Sequence, residues 1–355
     1  MTGERRLPEE RGVGARAGIR LARHAGWVRA EGPARLVEED GLDPVDRARR
    51  ARARWQWRRD HPREPGSARL VLVVGVQRSG TNLVLRALAS LPEVEPYAEN
   101  DPRLFTRFRL RSPDLLLARV GASRHDVVVV KPLCDSHLTA HLLDAAAPAP
   151  GTTPAPAAAP ATGTTPAPGT TPAHNAPPGH NAPSTPTTGA APAPRALWVW
   201  REPDARARSA VAKFGPVNRD VLARLARNGL DESWQAGGMT PEILATLRDL
   251  DPARLTPLDG AALFWWVRNT LVHTTGLDAR PDVTLARHED LVADPAGEWD
   301  RICAASGLSP HPDAVPSVRL PPVRRPARLD LDPRVRALCD DLSERLREAT
   351  RAPTA

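Results

Sequence analysis

The sequence predicts an α/β fold: a central parallel sheet covered on both faces by helices. Three observations point there. Short, unbroken apolar runs at 68–75 (ARLVLVVG), 125–131 (HDVVVVK) and 195–201 (RALWVWR) have the length and β-branching of strands buried on both sides. Segments with helical apolar spacing stand between and after them. With 355 residues and 41% hydrophobic content, the chain is long enough to bury a full core.

The elements follow in order. A strand is expected at 68–75, then a helix at 79–91 with helical apolar spacing at Leu83, Leu85, Leu88 and Leu91. A buried strand at 125–131 leads through a short helix after His137 to a break. The pattern resumes with a strand at 195–201 and a helix from Pro203. Helices at 217–228, 241–250 and 258–277 come next, then a strand at 283–287 and helices at 295–306 and 333–350.

The break is compositional. Residues 145–194 contain no Asp, Glu, Lys or Arg, hold 14 of the 39 prolines, and repeat GTTPAP at Gly151 and Gly163 and HNAP at His174 and His180. Such a stretch cannot bury enough apolar surface to offset the entropy of ordering, so it reads as a disordered insertion. Four segments result: an Arg-rich extension (1–66), a first domain part (67–144), the insertion (145–194) and a second domain part (195–355). The extension carries 16 Arg against 11 acidic residues, which is +5 of the formal +7, so the rest is near balance and no nucleic-acid partner is expected. The run at 47–59, RARRARARWQWRR, reads as a helix whose arginines are solvated while Trp55 and Trp57 pack on the domain.

No run approaches the roughly 20 apolar residues of a membrane span. The first residues alternate Arg and Glu with no apolar centre, unlike a secretory signal. Three cysteines, Cys134, Cys303 and Cys339, share no metal or disulfide spacing, which fits a reducing cytoplasm.

The chemistry concentrates at strand ends. Gly75-Val-Gln-Arg78-Ser79-Gly80-Thr81-Asn82 lies at a strand-to-helix turn, where free backbone N–H groups and the positive helix end meet an anion. This is P-loop-like, yet GxxxxGK[ST] is not met: Asn82 follows Gly80-Thr81, and the cation is Arg78. The two later strands end in Lys131 and Arg201, where a nucleotide hydrolase would place a Mg²⁺-holding Asp. Only Lys131 and Lys213 are lysines among 49 basic residues, so a lysine closing a buried strand is informative. Lys213, in a helix, reads as surface.

GVQRSGT after a strand resembles the phosphosulfate loop of sulfotransferases that use 3'-phosphoadenosine 5'-phosphosulfate. Arg201, with Ser209 eight residues on, is similar to that family's 3'-phosphate pair, and LARHEDLVADP (285–295) to its strand and Tyr-Glu-Asp-Leu segment. The resemblance implies a P-loop-containing nucleotide hydrolase-like three-layer fold and transfer of a sulfuryl group to an acceptor hydroxyl. Arg78, Ser79, Gly80, Thr81 and Asn82 would hold the phosphosulfate, Arg201 and Ser209 the 3'-phosphate, and His288 would stand on the purine side. Lys131 and Arg78 would neutralise developing charge.

The Lys-x-His of many soluble members is absent, because that position is Leu133. LPEVEPYAEND (91–101) instead resembles the tyrosylprotein branch, which implies Glu99 as the base, with Glu95 and His137 as alternatives. No metal is implied, and the acceptor would be a hydroxylated small molecule or a glycolipid. Two other readings stay open: a nucleotide-dependent kinase or NTPase, and a non-catalytic binding protein on a degenerate sulfotransferase fold. The tryptophans at 198, 200, 234, 265, 266 and 299 read mainly as core.

Overall fold

A computed structural model describes residues 44–147, 192–309 and 327–351. Most of the expected insertion, 148–191, lies outside these residues, as does most of the Arg-rich extension. Five strands form a parallel sheet: β1 (Arg69–Gly75), β2 (Val94–Tyr97), β5 (Val127–Val130), β6 (Arg195–Trp200) and β7 (Val283–Arg287). They are ordered β2-β5-β1-β6-β7. A separate two-stranded hairpin, β3 (Phe105–Thr106) with β4 (Arg109–Leu110), turns through Arg107 and Phe108, both at positive φ, as a tight two-residue hairpin turn requires.

Side-chain alternation sorts the core. Leu70, Leu72 and Val74 of β1 enter one apolar layer, and Val71 and Val73 enter the other. The second layer is closed by α2 (Thr81–Leu88) and α11 (Pro295–Ser306), through Leu83, Val84, Leu88, Trp299 and Ile302. The larger first layer takes α5 (Pro203–Phe214), α6 (Val217–Asn228), α7 (Pro241–Leu250), α8 (Pro257–Asn269) and α12 (Pro333–Arg351). These two layers are the α/β arrangement that the apolar runs predict. Trp198, Trp200, Trp265 and Trp299 are fully buried, in keeping with core roles. Three of these indoles donate: Trp198 to Asn269, Trp200 to Thr350 and Trp265 to the Arg201 carbonyl.

The remaining helices are α1 (Pro44–Asp60), α3 (Pro113–Ala122), α4 (Thr139–Ala146), α9 (Leu271–Thr274) and α10 (His288–Ala293). The two tryptophans of α1 part company. Trp57 stacks on His125, 6.0 Å between ring centroids, whereas Trp55 is 56% exposed, so only one of them packs on the domain. The helix expected at 258–277 ends at Asn269; α9 and a 3₁₀ turn at Leu277–Ala279 follow it. Among the described residues no helix is long and apolar enough to cross a membrane.

The register fixes where chemistry can gather. Tyr97 pairs with Val130, Gly75 with Val199, and Trp200 with Arg287. Residues just beyond these pairs, Glu99, Arg78, Lys131, Arg201 and His288, therefore leave the sheet at one carboxyl edge. The chain runs from β1 to β2 and β5 on one side and then crosses to β6 on the other, so β1 marks the reversal of strand order. Open parallel sheets bind ligands at that point.

Candidate functional site at the carboxyl edge of the sheet

The loop after β1 is built around two close approaches. Gly75 has φ 133°, and a Cβ there would lie 2.2 Å from the Val199 carbonyl oxygen, so β6 can run alongside only a glycine. Gly80, the N-cap of α2, has φ 97°, and a Cβ there would sit 2.6 Å from His288 Nδ1. Between them Arg78 adopts φ 73°, an uncommon left-handed conformation for a side-chain-bearing residue. The buried Ser79 Oγ has no hydrogen-bond partner. From beyond β5, Ser136 Oγ lies 3.0 Å from the Gly75 carbonyl and 2.8 Å from Leu133 O, sharing its one proton between them, which ties the loop's base to the next strand's exit.

Cations surround this loop. Arg78 Nε donates to Ser209 Oγ at 3.0 Å, so the loop arginine and the serine of α5 are in contact. Arg201, at the end of β6, lies 3.9 Å from Glu289, and its buried Nε has no hydrogen-bond partner. Burial lowers the Arg201 pKa; Glu289 opposes this and Arg78 adds to it. Glu289 itself is shifted upward, chiefly by burial. Arg206, one turn before Ser209, is fully buried. Its Nε donates to the Gln77 carbonyl (3.1 Å) and its Nη1 to Ala261 O (2.7 Å), while Nη2 is unpartnered. A cluster of guanidiniums with so little carboxylate attracts anionic oxygens.

On the other side of the loop, Lys131 is 2% exposed. Its Nζ donates to Asn82 Oδ1 at 2.5 Å and lies 3.2 Å from Glu99 Oε1. The loop-helix asparagine, the strand-end lysine and the glutamate after β2 thus form one connected chain.

No family model, curated protein or solved structure matches the chain. A functional assignment therefore rests on the side chains and their geometry. The residues singled out from the sequence gather at the carboxyl edge, with Arg78, Ser209, Arg201 and His288 near the Gly80 side and Lys131, Asn82 and Glu99 on the β5 side. His288 is 8% exposed, its Nδ1 is unpartnered beside Gly80, and burial with the nearby Arg201 lowers its pKa to about 4. Among the described residues no group of three or more His, Cys, Asp or Glu side chains could hold a metal.

The two alternatives to Glu99 sit in other contacts. Glu95 accepts from Tyr97 Oη (2.7 Å) and Ser123 Oγ (2.6 Å) and lies 3.3 Å from His125 Nδ1. Burial would raise its pKa, but hydrogen bonds from His125, Ser123 and Tyr97 outweigh that and hold it at about 2. His137 packs under Gly237 and Gly238, and burial, aided by Arg268, brings its pKa down to about 4. Their neighbour Asp135 is structural: it accepts from Arg109 Nε (2.5 Å) and Leu110 N (2.7 Å) and so pins the β3–β4 hairpin to the exit of β5.

Sequence reasoning missed Arg206 and left the roles of the two anchors Asp135 and Ser136 open. Arg206 had a signal: Pro203, Arg206, Ala207 and Ala210 form the inward stripe of α5, and an arginine among small buried residues needs a partner.

Proposed function

We propose that this protein is a sulfotransferase. It would move a sulfuryl group from 3'-phosphoadenosine 5'-phosphosulfate to an acceptor hydroxyl, on a P-loop-like three-layer domain working in the cytoplasm. The observation that carries the reading is the Asn82–Lys131–Glu99 chain beside a glycine loop ringed by Arg78, Arg201 and Arg206. A base, a compact cation and an anion cradle within one strand edge are what in-line transfer between oxygens needs.

In this reading the N–H groups of 80–82, the unpartnered Ser79 hydroxyl and Arg78 hold the phosphosulfate, with Arg201 and Ser209 at the 3'-phosphate and His288 on the purine side. The acceptor oxygen attacks sulfur as Glu99 takes its proton. The bridging S–O bond breaks, its electron pair stays on the 5'-phosphate oxygen, and Lys131 neutralises that charge. The products are the sulfated acceptor and adenosine 3',5'-bisphosphate. Lysine suits this point because a compact ammonium delivers its charge to one oxygen, whereas a guanidinium spreads it over a planar fork.

A phosphoryl-transfer reading is less well supported. The strand ends carry Lys131 and Arg201 where that chemistry places a metal-holding carboxylate. Sulfuryl transfer from labelled donor to a panel of phenols, alcohols, sugars and glycolipids tests the proposal, together with calorimetric binding of adenosine 3',5'-bisphosphate without metal. Absence of both transfer and binding overturns it.

A further inference from the structure

Arg206 sits where the two halves of the anion cradle meet. It is fully buried, lies one helical turn from Ser209 on the same face of α5, and grips the Gln77 carbonyl immediately before Arg78. Ser209 in turn accepts from Arg78 itself. Two successive loop residues are therefore held by two residues of one helix face, and Arg78 between them keeps its left-handed φ of 73°. The guanidinium plane is steadied from elsewhere, by Ala261 O at 2.7 Å and by the Phe264 ring, 5.3 Å from Cζ.

What Arg206 lacks is a counter-charge. No carboxylate pairs with it among the described residues, and its buried Nη2 has no hydrogen-bond partner. An unpaired buried cation is costly, so a fold that keeps one wholly out of water has that charge answered from another source. Burial lowers the Arg206 pKa to about 9, assisted by Arg78, which still leaves it protonated at neutral pH.

We propose that Arg206 is a positioning residue for anion binding: it fixes the loop at Gln77 so that the following N–H groups face the ligand, and the ligand's negative charge balances its own. This rests on the anion-cradle part of the sulfotransferase reading and extends it to a residue that touches the loop and not the reacting atoms.

The test compares wild type with Arg206→Lys and Arg206→Met. Two probes are used, inorganic pyrophosphate and adenosine 3',5'-bisphosphate, with binding read by calorimetry and amide hydrogen exchange read over 76–82. Arg206→Met is expected to weaken binding of both anions at least about tenfold, the scale of one lost charge-assisted hydrogen bond, and to speed exchange at 76–82 while the amides of β1 stay protected. Arg206→Lys keeps the charge but cannot hold two carbonyls in the same plane, so it should fall between the two. A merely structural role would lower the melting temperature without a selective change at 76–82. Anion affinity within twofold of wild type in both variants overturns the proposal, as does wild type binding neither probe. If wild type binds pyrophosphate but not the bisphosphate, the sulfotransferase reading fails while Arg206 is still judged on pyrophosphate.

Discussion

Lys131 Nζ lies 3.2 Å from Glu99 Oε1 and 2.5 Å from Asn82 Oδ1, so the strand-end cation touches both the proposed base and the helix that opens the loop. In the proposed mechanism the contact has a consequence: the proton that Glu99 would take and the charge that Lys131 would neutralise are coupled through one ion pair. Glu99→Gln keeps an oxygen that Lys131 can reach but removes the basicity. Turnover should fall by about 10²–10⁴, the range for loss of a general base, while affinity for adenosine 3',5'-bisphosphate stays within a few fold. Single-turnover kinetics with labelled donor beside calorimetry checks this, and equal losses in both would assign Glu99 to ligand binding.

Gly80→Ala should be costly for two separable reasons. The backbone at φ 97° disfavours any Cβ by about 1–2 kcal/mol, and the new methyl would stand 2.6 Å from His288 Nδ1. His288→Ala in the same chain relieves the second but not the first. Melting curves of the two single variants and the double variant should show the double recovering part of the loss. Additive losses would show that the imidazole swings aside at no cost.

The long apolar runs made the parallel sheet legible, because strands buried on both faces advertise themselves by composition. β2 escaped, since VEPY places a proline and a glutamate in a four-residue edge strand whose only fully buried side chains are Val94 and Tyr97. The β3–β4 hairpin escaped because its turn is Arg107-Phe108 and carries no glycine or asparagine. At the site, Lys131 stood out through lysine scarcity and the loop through its glycines. Arg206 did not, because in a chain so rich in arginine its place in the small-residue stripe of α5 is a faint signal, and its complete burial emerges only in the fold. The choice between Glu95 and Glu99 was likewise tertiary: three partners for Glu95, Tyr97 and the distant Ser123 and His125, cannot be read from their spacing.

Acid should destabilise the fold in two stages. His137 and His288 are held neutral, each with a pKa brought from the ordinary 6.5 to about 4 chiefly by burial. Between those values the unfolded chain binds more protons than the folded one. Stability is then full above about pH 6.5 and declines as pH falls toward 4. Glu95, lowered from 4.5 to about 2, extends the loss from pH 4.5 downward. Urea midpoints measured from pH 7.5 to 3 check this. His288→Gln should flatten the upper stage and leave the lower one, whereas a wild-type midpoint constant from pH 6.5 to 4.5 would contradict it.

Ser209 accepts from Arg78 at 3.0 Å, a contact between a residue proposed for the 3'-phosphate and one proposed for the phosphosulfate. The two roles separate by choice of ligand. If the serine hydroxyl meets the 3'-phosphate, Ser209→Ala should weaken adenosine 3',5'-bisphosphate by about tenfold, the scale of one charge-assisted hydrogen bond, and adenosine 5'-monophosphate much less. If the hydroxyl only steadies Arg78, both ligands weaken equally, because both use the loop. Calorimetric affinities of the two nucleotides for wild type and Ser209→Ala decide between these outcomes. The bisphosphate-selective loss is expected, since the hydroxyl keeps a lone pair for Arg78 while its proton is available to the 3'-phosphate.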